Sequence, residues 1–215
     1  MIHHNGYVQY GCGLCAPATW TNFDASPTLR IQRWPLIGHW LTRGGPQFPA
    51  DVQFGDIIRG LPIAPESCAA IYCSHVLEHL SLEDLRIALR NTRNYLKPGG
   101  VFRFVLPDLE YCARAYLTSS AEQPAIVFME DTMLGYPDRP RGLRGMLRSW
   151  LGNSRHLWMW DYKSLSVELK QAGFESIRRA QYGDSPDPRF ADVEDPGRWE
   201  HSLGMECCAP GSAGP

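Results

Sequence analysis

Two short, largely apolar runs at residues 69–73 and 101–106 flank a single helix-period segment, and this strand, helix, strand order restricts the chain more than any other feature. Runs of the same kind alternate with helical segments from one end to the other, which is the pattern of a sheet covered by helices on both faces. The intervening helix has clear limits. Ser81 with Asp84 three residues on forms a capping box, Leu85, Leu89, Thr92 and Leu96 recur at helical spacing, and Pro98-Gly99-Gly100 stops it.

The remaining strands are expected at 7–10, closed by Gly11-Cys12-Gly13, at 20–23, ending at Asp24, at 52–54, leading into Gly55-Asp56, and at 177–180 and 203–207. Pro107-Asp108 opens a helix whose Leu109, Cys112, Ala113 and Tyr116 share one face. Asp161 caps another, with Leu165, Leu169 and Ala172 turned inward and Gly173 at its end. Residues 25–50 read as a loop-rich connection holding one short helix around 36–41. Residues 118–160 break the alternation with Arg139, Arg141, Arg144, Arg148 and Arg155 among Trp150, Trp158 and Trp160, and are expected as an insertion or lid over the substrate side. One domain over 1–208 and a flexible tail at 209–215 complete the expectation.

Composition narrows the class. With 44% hydrophobic and 20% charged residues and a net charge of −2, the chain has an ordinary globular balance and no field to hold nucleic acid or an anionic membrane without a local patch. The opening residues lack a basic leader, and no run approaches the roughly 18 apolar residues of a membrane span. The seven cysteines, at 12, 15, 68, 73, 112, 207 and 208, are an odd set scattered through apolar segments, which suits reduced core thiols. A cytoplasmic location is expected.

At the turn after the first strand, Gly11 and Gly13 lack a Cβ and let backbone N–H groups approach a ligand at the carboxyl edge of the sheet, where nucleotides bind in such folds. Asp24, ending the next strand, can accept two hydrogen bonds from a ribose diol, or can simply start a turn with Ser26 and Pro27. Gly13 and Asp24 are eleven positions apart, where a dinucleotide fingerprint has about twenty. With Pro17 in between, no helix N-terminus is available for a diphosphate, so NAD and FAD do not fit and an adenosyl ligand without phosphate does. Two patterns invite a metal, Cys12-Gly-Leu-Cys15 and the HxxEH of His75, Glu78 and His79, which places two imidazoles beside a carboxylate as in inverted zinc peptidases. Neither has a complete ligand set in sequence. Glu78 and His79 read equally as a structural pair at a helix start.

YGCG at 10–13, WTNFD at 20–24, GDIIRGLP at 55–62, SHVLEHL at 74–80, LKPGG at 96–100, VLPD at 105–108 and the late LKQAGF at 169–174 resemble, in order and spacing, class I S-adenosylmethionine-dependent methyltransferases. The likeness is greatest to a compact bacterial-type branch in which a short loop joins the glycine turn to the acidic strand. It implies an α/β, three-layer Rossmann-like methyltransferase fold: a mostly parallel seven-stranded sheet, order 3-2-1-4-5-7-6, with an antiparallel last strand. It implies S-adenosylmethionine as cofactor, with Gly11, Cys12 and Gly13 around its methionine and ribose, Asp24 on the ribose hydroxyls, Asp56 and Ile57 at the adenine, and Ser74 with His75 bordering the methyl-transfer site. The sequence departs from the family in lacking a third glycine and in placing Cys15 and Pro17 where a helix usually starts.

Methyl transfer from a sulfonium is an in-line displacement of an already activated group, so the protein must align and dehydrate donor and acceptor. A hydroxyl acceptor also releases a proton, for which His75, Asp108 and His156 are the candidate bases. Each has a bland reading as well: a backbone-bonded histidine, a helix cap and an imidazole packed among tryptophans. The arginines between 139 and 155 suit an anionic acceptor, such as a sugar nucleotide, an acidic glycan or a phosphorylated intermediate, or are a solvated surface. The expected function is methylation of a small-molecule or glycan-like acceptor at oxygen. The alternatives are an inactive cofactor-binding subunit and a zinc metalloenzyme using His75, Glu78 and His79.

Overall fold

A computed structural model describes residues 5–35, 45, 47–135 and 155–211. The apolar runs become seven strands: β1 (Tyr7–Tyr10), β2 (Thr21–Asp24), β3 (Gln53–Phe54), β4 (Cys68–Ser74), β5 (Leu96–Pro107), β6 (Glu175–Ala180) and β7 (Ser202–Cys208). They form one sheet in the order β3-β2-β1-β4-β5-β7-β6. The first five pair in parallel, and β7 runs antiparallel to both its neighbours. Strand order and direction are those expected.

The helices are α1 (Pro27–Gln32), α2 (Leu82–Tyr95), α3 (Leu109–Leu117), α4 (Pro124–Asp131), α5 (Tyr162–Gln171) and the single turn α6 (Pro196–Trp199), with 3₁₀ turns at Leu77–His79 and Pro188–Asp192. Helix α2 starts where its capping box requires: Ser81 Oγ accepts from the Asp84 N–H, and Asp161 caps α5 in the same way through Ser164. Helix α1 follows β2, so the turn after β1 ends without a helix, as Pro17 dictates. The short helix expected around 36–41 lies outside the described residues.

Alternation along the strands sorts side chains to two faces. On one, Tyr10, Ile71, Phe102, Phe104, Leu203 and Met205 pack against Leu85, Ala88 and Leu89 of α2 and Leu165 and Leu169 of α5. On the other, Trp20, Ala70 and Tyr72 meet Phe190 and Val193, so short turns around 188–199 cover this part of the face where helices were expected. That thin cover is held by charge. Arg103, in the middle of β5, is fully buried and bonds Glu194 Oε1, Asp184 Oδ1, Glu206 Oε2 and the Gln181 carbonyl, while its guanidinium lies over the rings of Phe190 and Trp199.

Three expectations shift. β5 begins at Leu96, because Gly99 and Gly100 pair with Ala209 instead of forming a loop. For the same reason Ala209, expected in the flexible tail, is buried. The face of Leu109, Cys112, Ala113 and Tyr116 is not core: α3 buries no residue fully and leans on α4, with Tyr116 against Phe128. Among the described residues no helix is long and apolar enough to cross a membrane, and all seven cysteines carry free thiols.

Candidate active site

The carboxyl edge of β1 and β2 is built around Asp24. Its Oδ2 accepts the Gly13 N–H at 2.9 Å and its Oδ1 the Ser26 N–H at 2.7 Å, so the acid faces the glycine turn and is 8% exposed. A carboxylate has about four acceptor directions. Two backbone bonds leave each oxygen one direction for a diol. Gly11 (φ +65°) and Gly13 (φ +54°) both hold left-handed backbone, for different reasons. A Cβ on Gly11 would lie 2.2 Å from Val76 Cγ2, whereas one on Gly13 would meet nothing within 4 Å. Gly11 therefore admits the turn after β4, and Gly13 leaves open space beside the acid. The side chain of Cys12 packs inward with Leu29, Phe48 and Val52, which leaves only its backbone toward a ligand. Burial, aided by the charge of Asp24, pushes its thiol up to about 12.

Two residues absent from the sequence reading support this turn. Buried Gln9 donates from Nε2 to the Cys15 carbonyl at 2.7 Å and to Asn22 Oδ1 at 2.6 Å, and Asn22 in turn donates to Pro17 and Trp20 carbonyls. A glutamine between Val8 and Tyr10 in an apolar run was the available signal, since buried polar groups need partners. Further along the edge, Asp56 Oδ1 accepts the Ile58 N–H and its Oδ2 lies 3.5 Å from Arg59. The side chain of Ile57 is core, and its carbonyl accepts from Asn91. Ser74 Oγ, at the end of β4, is buried with no hydrogen-bond partner among the described residues. Open space at Gly13, the free directions of Asp24 and the orphaned Ser74 hydroxyl fit an adenosyl ligand along this edge.

The candidate bases separate. His75 sits at φ +53°, its Nε2 2.9 Å from the Arg198 carbonyl and its Nδ1 3.3 Å from Glu78 Oε1. As placed, neither ring nitrogen is left for a substrate proton. Asp108 caps α3 through Glu110 and lies 3.5 Å from Arg179. His156 is buried beside His79 and Glu78, and burial lowers its pKa, opposed by the Glu78 charge. Of the arginines and tryptophans singled out, Arg155, Trp158 and Trp160 are described. Arg155 donates to the Gly135 carbonyl and Trp158 stacks obliquely on Trp160. Arg139, Arg141, Arg144, Arg148 and Trp150 lie outside the described residues.

Where β5 ends against β7, a cavity of about 420 Å³ opens between α3, α4 and the turn before β7. Its walls include Tyr111, Tyr116, Phe128, Asp131, Glu200 and His201, with Tyr111 stacked on His201 at 4.3 Å. The volume is that of a small-ligand pocket. It lies two strands from β1 along the same edge, or about 10 Å at the usual strand spacing. Sequence reasoning missed it because α4 and the 200–202 turn meet only in the fold.

The methyltransferase-domain family matches residues 14–178. No curated protein matches the chain. Among solved structures, an S-adenosylmethionine-dependent methyltransferase from Thermotoga maritima is similar with a TM-score of 0.53 at 16% identity, over 97% of this chain and 83% of that one. A chain in the complex of the Haloferax volcanii Trm112 methyltransferase activator gives 0.49 at 15% identity, over 95% and 82%. Phosphoethanolamine N-methyltransferase 2 of Haemonchus contortus, bound to S-adenosylmethionine, gives 0.49 at 11% identity over 95% of this chain, which spans 48% of that protein.

Proposed function

Because the chain belongs to the class I S-adenosylmethionine-dependent methyltransferases, we propose that it methylates a small hydroxylated or glycan-like acceptor at oxygen. S-adenosylmethionine, the cofactor of the family, supplies a methyl group on a positively charged sulfur. Gly13 and Asp24 would hold its ribose, with the backbone of Cys12 beside them and Asp56 toward the base. The observation that carries the reading is the hydrogen bond from Gly13 to Asp24, which turns the acid toward open space at the strand edge.

The cavity supports the acceptor class. Its lining combines tyrosine rings with Asp131 and Glu200 and includes no lysine or arginine among the described residues. Rings offer a platform to a sugar's C–H face, and carboxylates accept from hydroxyls. The same acids disfavour an anionic acceptor at this position, which weakens the reading of the arginine-rich segment as its partner.

Calorimetric titration with S-adenosylmethionine and S-adenosylhomocysteine, followed by transfer of labelled methyl to a panel of neutral glycosides, sugar nucleotides and amines, tests this. Binding of both nucleosides, its loss in Asp24→Ala and label on the glycosides are expected. Binding of neither defeats the proposal. Binding without transfer to any acceptor supports the inactive-subunit alternative, and label only on amines refutes the oxygen acceptor.

A further inference from the structure

We propose that Glu78, His79 and His156 form a binding site for a divalent transition cation of the zinc type. The three are brought together by the fold: Glu78 and His79 sit on the 3₁₀ turn after β4, and His156 arrives 77 residues later in the chain. Their ligand atoms lie within 4.8 Å of one another. His79 Nε2 is 4.0 Å and His156 Nε2 3.9 Å from Glu78 Oε1.

The carboxylate is fully buried, and neither of its oxygens has a hydrogen-bond partner among the described residues. An ionised group in that position needs a compensating charge. The surrounding imidazoles do not offer it as hydrogen bonds. A carbonyl oxygen can only accept, so His79, 2.8 Å from the Arg155 carbonyl through Nδ1, donates there, and its Nε2 is the atom turned to Glu78. His75 is oriented likewise: Nε2 donates to the Arg198 carbonyl and Nδ1 lies 3.3 Å from Oε1. Three ring nitrogens thus converge on one buried carboxylate oxygen that none of them hydrogen-bonds, an arrangement a cation between them would satisfy.

The geometry is also that of a supported metal site. A histidine ligand whose second nitrogen donates to a backbone carbonyl is the usual outer arrangement around zinc. The strand of chain bearing His156 is pinned to the turn, because Leu157 and Trp158 both donate to the Glu78 carbonyl, at 2.7 and 3.1 Å. At the tetrahedral angle two zinc bonds of about 2.1 Å span about 3.4 Å, so ligand atoms lying within 4.8 Å of one another need to close by about 1.4 Å at most. Two imidazoles and one carboxylate select a transition cation over magnesium or calcium, and leave a fourth position free. The ion would bind with or without the methyl donor, joining the 155–158 segment to the turn after β4.

Chelator-stripped full-length protein titrated with Co²⁺ is expected to develop the visible absorption of a low-symmetry, four- or five-coordinate ion at one equivalent, displaced by Zn²⁺ and lost in Glu78→Gln and in His156→Ala. Zinc-edge X-ray absorption on the wild-type chain, which depends on no variant, is expected to show two imidazoles and no sulfur. Absence of uptake overturns the proposal, as do uptake that survives both substitutions and sulfur scattering, which would place the ion on Cys12 and Cys15.

Discussion

Replacing Gly11 by alanine separates two demands that the glycine turn makes on the chain. The left-handed backbone at φ +65° costs an L-residue about 1–2 kcal/mol. The new methyl would also lie 2.2 Å from Val76 Cγ2, and relieving such an overlap in packed structure costs about 1–3 kcal/mol. Gly11→Ala should therefore lower the unfolding free energy by about 2–5 kcal/mol in urea titration. Gly13→Ala, with a similar φ and nothing within 4 Å, should lose only the first part, about 1–2 kcal/mol. Adding Val76→Ala to Gly11→Ala removes the overlap, so the double variant should be more stable than the sum of its singles predicts, by about 1 kcal/mol or more. Equal losses at the two glycines, or strict additivity in the cycle, would falsify the account of Gly11 as the residue that admits Val76.

Arg103→Met leaves Glu194 buried without its cation and should cost about 3–5 kcal/mol in the same assay, part of it recovered by adding Glu194→Gln; a cost under 1 kcal/mol would show the cluster to be dispensable. At acid pH, burial pushes the Asp184 carboxyl up, but hydrogen bonds from Arg178, the Gln181 region and Arg103 outweigh it and hold it down to about 2, against an ordinary 3.8. Since the folded value is the lower one, the stability it lends is complete above about pH 4 and is lost as the pH falls through about 2. Urea midpoints of the wild type should therefore drop more steeply over that window than those of Asp184→Asn, and parallel curves would rule this out. Finally, iodoacetamide at pH 8 should label exposed Cys15 well before buried Cys12, as read by peptide mass spectrometry; the reverse order would mean that the turn opens in solution.

Much of the scaffold was legible because its signals are local. Ser81 and Asp84 mark the start of α2 within one turn, and Asp161 marks that of α5, so both helices fall where capping and spacing place them. Resemblance supplied the order of the strands, which no local pattern encodes. Asp24 and Gly13 were readable as a pair from their place at two strand ends, although their hydrogen bond was not. The rest depends on distant partners. Arg103 reads as an interruption of an apolar strand, and only Asp184, Glu194 and Glu206, more than 80 positions away, explain it. The HxxEH pattern supplied Glu78 and His79 but suggested His75 as the third member. In the fold His75 also faces Glu78, its Nδ1 3.3 Å from Oε1, but it is His156 that joins Glu78 and His79 in the cluster whose ligand atoms lie within 4.8 Å of one another.

The position of β7 bears on how the protein is made. Translation releases six of the seven strands before the one that fills the gap between β5 and β6, so until then β5 presents a bare edge and Arg103 lacks Glu206. Unpaired edges invite pairing with other chains. A chain cut short before Ser202 would thus be a self-adhesive product and a client for chaperones or proteases, not a slightly shortened version of the same molecule.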